Sequence, residues 1–161
     1  MKTLMLGNEA VARGLYEAGC SFVLQLSRHA EYRDPPSRCP STRNLRRVAT
    51  QRKGRDRSGL RRVARRLPQL LRHEARRLNV AADPLFTLSY TGVNGGMIIG
   101  VADDAGMHSS QNEQDSRYYA KASKIPMLEP ANSAEALAFT KLAFELSEKY
   151  DTPVLLKMCT R

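Results

Sequence analysis

In the second half of the chain, apolar residues form short continuous runs separated by a helical repeat. Met97 to Ala102 (MIIGVA), Ile125 to Leu128 and Val154 to Met158 (VLLKM) are such runs. That pattern predicts strands covered on both faces of a parallel sheet. Between the last two, Phe139, Leu142, Leu146 and Tyr150 recur near i, i+3, i+7 and i+11, predicting a helix from about Ser133 to Tyr150 with those residues on its buried face. Ser133 or Asn132 supplies the cap, Glu135 lies in the acidic first turn, and Asp151-Thr152-Pro153 breaks the helix. A further helix is expected over Ser109 to Ser123, and Phe86 to Tyr90 reads as helical or irregular. At the start of the chain, Asn8 to Ala18 (NEAVARGLYEA) reads as a short helix with Asn8 as N-cap and Gly19 as stop. A strand begins at Ser21-Phe22-Val23. The order β-α-β-α-β implies an α/β fold with parallel strands and right-handed crossovers, the helix from Ser133 packing on their face.

That pattern is lost from Leu24 to Arg77. The tract carries 16 Arg and 1 Lys against 4 acids, leaving 9 of the 26 basic and 12 of the 16 acidic residues to the flanks. The formal charge of +10 therefore belongs wholly to the middle. Three parts follow: 1–23, the Arg-rich tract 24–77, and 78–161.

The genetic code gives this discontinuity a physical form. One codon choice for Leu24 to Asp34 (LQLSRHAEYRD), read one base later, encodes Ser-Ser-Tyr-Pro-Gly-Thr-Pro-Ser-Thr-Glu, a turn followed by a capped helix start. In the same shift His73 to Arg77 (HEARR) permits Met-Lys-His-Glu-Gly, running into Leu78-Asn79. Gln51 to Arg66 permits Asn-Glu-Lys-Val-Ala-Ile-Glu-Val-Ala-Ser-Gly-Ala-Ser-Leu-Ala-Gly, an amphipathic helix. One base gained near Val23 and one lost near Arg77 would produce all three. On this reading the tract has no defined tertiary place, with isolated, poorly packed helices expected around Leu60 to Arg77 because Arg, Leu and Ala are helix formers.

The remaining composition suits a single domain of 161 residues, 42% hydrophobic. Cys20, Cys39 and Cys159 are widely spaced and odd in number, suggesting neither a disulfide framework nor a zinc site and fitting a reducing cytoplasm. No apolar stretch approaches transmembrane length. The last strand is expected to lead into a loop that the chain does not include, giving a truncated appearance.

In open parallel sheets, ligands bind beyond the carboxyl ends of the strands. Those ends here carry Asp103 to Gly106, then His108 to Asp115 (HSSQNEQD). His108, Gln111, Asn112 and Asp115 are the candidate ligand-facing residues; the alternative is a solvated loop capping its own helix. His29 and His73 fall in the tract, leaving His108, which as a lone loop histidine also reads as a surface or capping residue. Thr91 to Gly96 (TGVNGG) is a second candidate, through Thr91, Gly92, Asn94 and Gly95, because glycines permit close backbone approach. It lacks the strand-then-GxGxxG-then-helix context of a dinucleotide site. There is no GxxxxGK[ST] loop and no GxSxG elbow.

Leu78 to Asp104 (LNVAADPLFTLSYTGVNGGMIIGVADD), Gly106 to Ala120 (GMHSSQNEQDSRYYA) and Lys124 to Glu129 (KIPMLE) resemble the alpha subunit of indolepyruvate:ferredoxin oxidoreductases. Met5 to Gly19 (MLGNEAVARGLYEAG) resembles the start of that subunit, and the shifted-frame peptides resemble it at the matching place. The resemblance implies the pyrimidine-binding domain of a thiamine-diphosphate fold. It implies an enzyme that decarboxylates an aryl 2-oxoacid onto coenzyme A and passes electrons through iron–sulfur clusters to ferredoxin, with a beta subunit as partner. The diphosphate–Mg²⁺ domain and cluster cysteines lie further along in that family. The carboxylate that such enzymes place beside the aminopyrimidine is sought in the shifted-frame Val-Ala-Ile-Glu-Val peptide. As written its codon has become Arg57, and a guanidinium cannot take that role. This chain alone is therefore expected to be inactive and to bind no cofactor tightly. The alternative is an Arg-rich nucleic-acid-binding arm on an α/β domain, opposed by a single tract aromatic, Tyr32, and no recognisable binding fold. Non-specific polyanion binding is expected from the charge.

Overall fold

The run from Met97 to Asp103 forms the strand against which the sheet is built. The computed structural model describes residues 4–25, 46–47, 69–107 and 112–159. Their strands are β1 (Phe22–Gln25), β2 (Arg46–Arg47), β3 (Gln69–Glu74), β4 (Met97–Asp103), β5 (Met127–Leu128) and β6 (Val154–Cys159). Their helices are α1 (Gly7–Glu17), α2 (Ala75–Val80), α3 (Ala82–Thr91), α4 (Arg117–Ser123) and α5 (Ser133–Tyr150). The strands lie in the order β2-β1-β3-β4-β6-β5 and every pair is parallel.

Successive residues of a strand point to opposite faces, so a sheet covered on both sides needs apolar residues at every position. On one face, Ile98, Val154 and Leu156 pack with Leu15 of α1 and with Ala143 and Phe144 of α5. On the other, Ile99, Val101 and Leu155 pack with Leu78, Leu85, Ala120 and Ile125 from α2, α3, α4 and the loop before β5. Complete burial of each Val, Leu, Ile or Phe side chain among these contributes about 1.5–3 kcal/mol. The expected strands and the helix of 18 residues are present, with β4 and β6 each one residue longer than expected and β5 shortened to Met127–Leu128; the helix expected over Ser109 to Ser123 is formed at Arg117–Ser123, and 112–116 are not helical.

The buried face of α5 differs from the one expected. Ala136, Thr140, Ala143, Phe144 and Ser147 are buried, whereas Leu142 is 38% and Tyr150 60% exposed. The cause is proximity. A Cβ built on Gly14 would lie 2.8 Å from Thr140 Cβ and 3.0 Å from the Leu137 carbonyl oxygen, so α1 and α5 meet where only small residues fit. Phe139 and Leu146 pack along the flanks of this contact. Asn132 is the N-cap, its side-chain oxygen accepting from the Glu135 N–H at 2.9 Å, while the Glu135 carboxylate accepts from the Ala131 N–H at 2.8 Å. In α1 the cap is Leu6 rather than Asn8: Glu9 reaches back to accept from the Leu6 N–H at 3.1 Å, which moves the helix start upstream. Gly19, at φ +69°, follows its end, as expected of a stop.

Part of the Arg-rich tract is paired. Gln69–Glu74 lies between β1 and β4, in register with Met97 through Ala102, where isolated helix was expected. Strand pairing uses backbone N–H and C=O groups, which every residue but proline supplies, and β4 offers a complete edge to pair with. That tertiary context overrides the helix propensity of Leu and Arg. Among the described residues of the tract, helix begins at Ala75 and runs to Val80; residues 26–45 and 48–68, and with them part of the helix expected around Leu60 to Arg77, lie outside the described residues.

Gly14→Ala is expected to destabilise the chain despite the roughly 1 kcal/mol gain in helix propensity. The added methyl meets a β-branched side chain and a backbone oxygen, and such overpacking costs about 1–3 kcal/mol. A fall in the urea midpoint of unfolding is the measurement; an unchanged or higher midpoint would show that the two helices can separate freely.

Candidate functional site

Charged and polar side chains converge at the carboxyl end of the sheet, on its α4 face. Asp103 closes β4 and is buried with its neighbour Asp104. Its carboxylate accepts from the Ser116 N–H at 3.0 Å and from the Ser116 hydroxyl. Lys157 interrupts the apolar run of β6 and is 3% exposed. Its ammonium donates to Glu129 Oε1 at 2.6 Å and lies 3.7 Å from Asp103 Oδ2; Cys159 Sγ is 3.6 Å away. Glu129, just beyond β5, also accepts two parallel hydrogen bonds from Arg117, at 2.9 and 2.8 Å. Arg117 in turn pairs with Asp115 at 3.3 Å.

These contacts set the protonation states. Hydrogen bonds from Arg117, joined by Lys157, hold the Glu129 carboxyl below its usual range against the opposing effect of burial. Burial acts to lower Lys157, but the hydrogen bond and charge of Glu129, with the negative influence of Cys159, outweigh it and raise the ammonium above its ordinary range. The backbone N–H of Arg117 is the main cause of a lowered Asp115. Each group is thus held in its charged form.

The described members of the two sets of residues proposed from sequence lie at opposite ends of the sheet. Asn112, exposed, and Asp115, half-buried, lie at the carboxyl end; His108 and Gln111, like Arg57, lie outside the described residues. Thr91, Gly92, Asn94 and Gly95 precede β4 and so occupy the amino end. Thr91 is exposed and donates its hydroxyl to the Thr87 carbonyl at 3.0 Å. Gly92 takes φ +71°, and a Cβ there would meet the Asp151 carbonyl oxygen at 2.8 Å. The Val93 N–H donates to that same carbonyl at 2.9 Å. Asn94 is exposed and Gly95 buried. Sequence reasoning missed Lys157, Glu129 and Arg117; the available signal was a lysine inside VLLKM, since a charge within a doubly covered strand needs a partner.

No protein-family profile matches the chain. Indolepyruvate oxidoreductase subunit IorA of Archaeoglobus fulgidus is 38% identical over 175 aligned positions, covering 99% of this chain and 27% of that protein. Its relatives are indolepyruvate oxidoreductase subunits. IorA of Pyrococcus horikoshii is 56% identical over 84 residues, 52% of this chain and 13% of the relative, and IorA of Methanothermobacter marburgensis is 54% identical over the same length. The chain therefore spans about a quarter or less of the IorA proteins it matches. A structure of 2-oxoglutarate:ferredoxin oxidoreductase from Magnetococcus marinus, with 2-oxoglutarate, coenzyme A and succinyl-CoA bound, matches with a TM-score of 0.74. That match covers 96% of this chain and 29% of that one at 16% identity, a likeness of fold. None of these relatives is named for nucleic-acid binding, and no helix among the described residues is long and apolar enough to cross a membrane.

The described IorA-like residues do not fit a diphosphate–Mg²⁺ group. Arg117 and Lys157 are both engaged with carboxylates, so neither cation is available to a diphosphate without breaking those pairs. No group of three His, Cys, Asp or Glu among the described residues could hold a metal.

Glu129 makes this testable by pH. Its folded pKa is lowered from 4.5, so its contribution is present above about that pH and is lost as pH falls through the folded value. Glu129→Gln is expected to cost about 1.5–3 kcal/mol at neutral pH and to flatten the acid limb of the stability profile. The two profiles converge in acid. Parallel profiles at all pH values would mean that the carboxylate is not engaged.

Proposed function

We propose that this chain is the pyrimidine-binding part of an indolepyruvate:ferredoxin oxidoreductase alpha subunit whose residues 24–77 are read in a shifted frame, and that these 161 residues alone do not turn over. The observation carrying this reading is the length of the sequence matches. Five relatives align over 84 residues at 54–56% identity, and 84 is the length of residues 78–161. The Archaeoglobus relative needs 175 aligned positions to span this chain and falls to 38%. High likeness over a stretch of that length, beside a gapped alignment of the whole chain that is less alike, is what two compensating base changes would leave.

The ligand edge on this reading is the carboxyl end of the sheet, where Asn112 and Asp115 lie; His108 and Gln111, in the same stretch of sequence, remain candidates. Close packing already accounts for Gly92 at the amino end. The intact enzyme would use thiamine diphosphate, Mg²⁺ and iron–sulfur clusters, and would act on an aryl 2-oxoacid with coenzyme A, ferredoxin and a beta subunit. Thiamine diphosphate supplies the carbanion chemistry when bound. Here the expected ring-side carboxylate is replaced by Arg57, and the described residues offer no diphosphate–Mg²⁺ cradle. On this reading the intact enzyme is cytoplasmic.

Viologen or ferredoxin reduction, assayed with indolepyruvate, coenzyme A and the beta subunit, tests this reading. The chain as written is expected to give no turnover and only weak binding of thiamine diphosphate. Restoring the frame alone should leave it inactive; restoring the frame together with the rest of the relatives' length should bring activity. The bases around codons 23 and 77 should show the gained and lost nucleotide. Turnover by the chain as written would refute the proposal.

A further inference from the structure

We propose that Lys157 is a positioning residue, holding the start of α4 and the segment before it against the carboxyl end of the sheet. This rests on the reading of that end as the ligand edge. β6 lies between β4 and β5, and Lys157 bridges acids contributed from both neighbours: Asp103 at the end of β4 and Glu129 just beyond β5. Each acid passes the constraint to the chain that follows the candidate ligand loop. Asp103 holds Ser116 by its N–H and hydroxyl; Glu129 holds Arg117 by two parallel hydrogen bonds.

Ser116 and Arg117 are consecutive, so the same point of the backbone is gripped from two sides with one ammonium between them. A residue serving only to fill space in β6 would be apolar, as Val154, Leu155 and Leu156 are. A buried charge is costly unless fully partnered; here both partners are themselves attached to the same segment. Without the ammonium, Asp103 and Glu129 would face each other's charge across β6, and the grip on Ser116 and Arg117 would loosen together. Residues 112–117, which include Asn112 and Asp115, would then lose their fixed shape while the sheet below stayed paired.

Residue-resolved hydrogen exchange on the 161-residue chain tests this. Glu129→Gln is expected to speed exchange of the Ser116 and Arg117 amides about tenfold more than that of the β4 and β6 amides, whose own rise follows the loss of global stability. Lys157→Met, which keeps length and loses charge, should do the same, and Lys157→Arg should retain slow exchange that the Met variant loses. Should the Met variant fail to fold, Lys157→Gln takes its place, because Glu129→Gln also removes the direct contact with Arg117. No change at Ser116 and Arg117, or a rise there matched by β4 and β6, overturns the proposal. This failure is separable from failure of the functional reading, which is decided by turnover of the restored full-length enzyme.

Discussion

A parallel strand with neighbours on both edges and helices on both faces must satisfy every backbone group laterally and bury every side chain vertically. β4 carries that requirement for this protein. Its edges are taken by β3 and β6, and its faces by two separate apolar clusters. Even its first residue is tied down: the buried Met97 N–H donates to the Ser147 hydroxyl at 2.8 Å, which donates onward to the Thr152 carbonyl at 2.7 Å. A buried N–H left unpaired there would cost about 1–3 kcal/mol. Helix α5 thereby fixes both the face of the sheet and the entry of its central strand.

The two ends of β4 are finished differently. At the amino end the chain is closed by backbone contacts and by Glu148, whose carboxylate accepts from the Gly96 N–H. At the carboxyl end the finishing groups are long side chains: Glu129 takes hydrogen bonds from Lys157 and Arg117, and Asp103 from Ser116. Side-chain contacts can be rearranged by a ligand or a partner; a helix carbonyl packed against a glycine cannot. The two ends are thus fixed by different means, and the paired side chains stand at the end where open parallel sheets receive their ligands.

Much of this architecture was legible because it is written in local patterns. Continuous runs such as MIIGVA and VLLKM announce strands covered on both faces, and Asn132 with Glu135 announces a helix start. The apolar repeat of α5 misled because size, not hydrophobicity, decides its inner face: Gly14 brings α1 too close for Leu142 or Tyr150 to turn inward. β3 was invisible because Gln69–Glu74 is held by lateral pairing, which leaves little mark on side-chain composition. The ion-pair group escaped because Asp103, Glu129 and Lys157 lie far apart in sequence and meet only through the strand order β4-β6-β5. The position of TGVNGG at the amino end likewise depends on where β4 begins, not on the glycines themselves.

The contacts of Gly92 and Gly96 carry a wider consequence. A methyl group at Gly92 would strike a helix-end carbonyl, and one at Gly96 would lie 2.9 Å from the Phe144 ring and 3.0 Å from the Glu148 carboxylate. Steric exclusion by α5 is thus sufficient to dictate these two residues, whatever chemistry the opposite end performs. In this chain Gly92 and Gly96 of TGVNGG mark a seam between a helix and a strand, a matter of closing the sheet and not of binding.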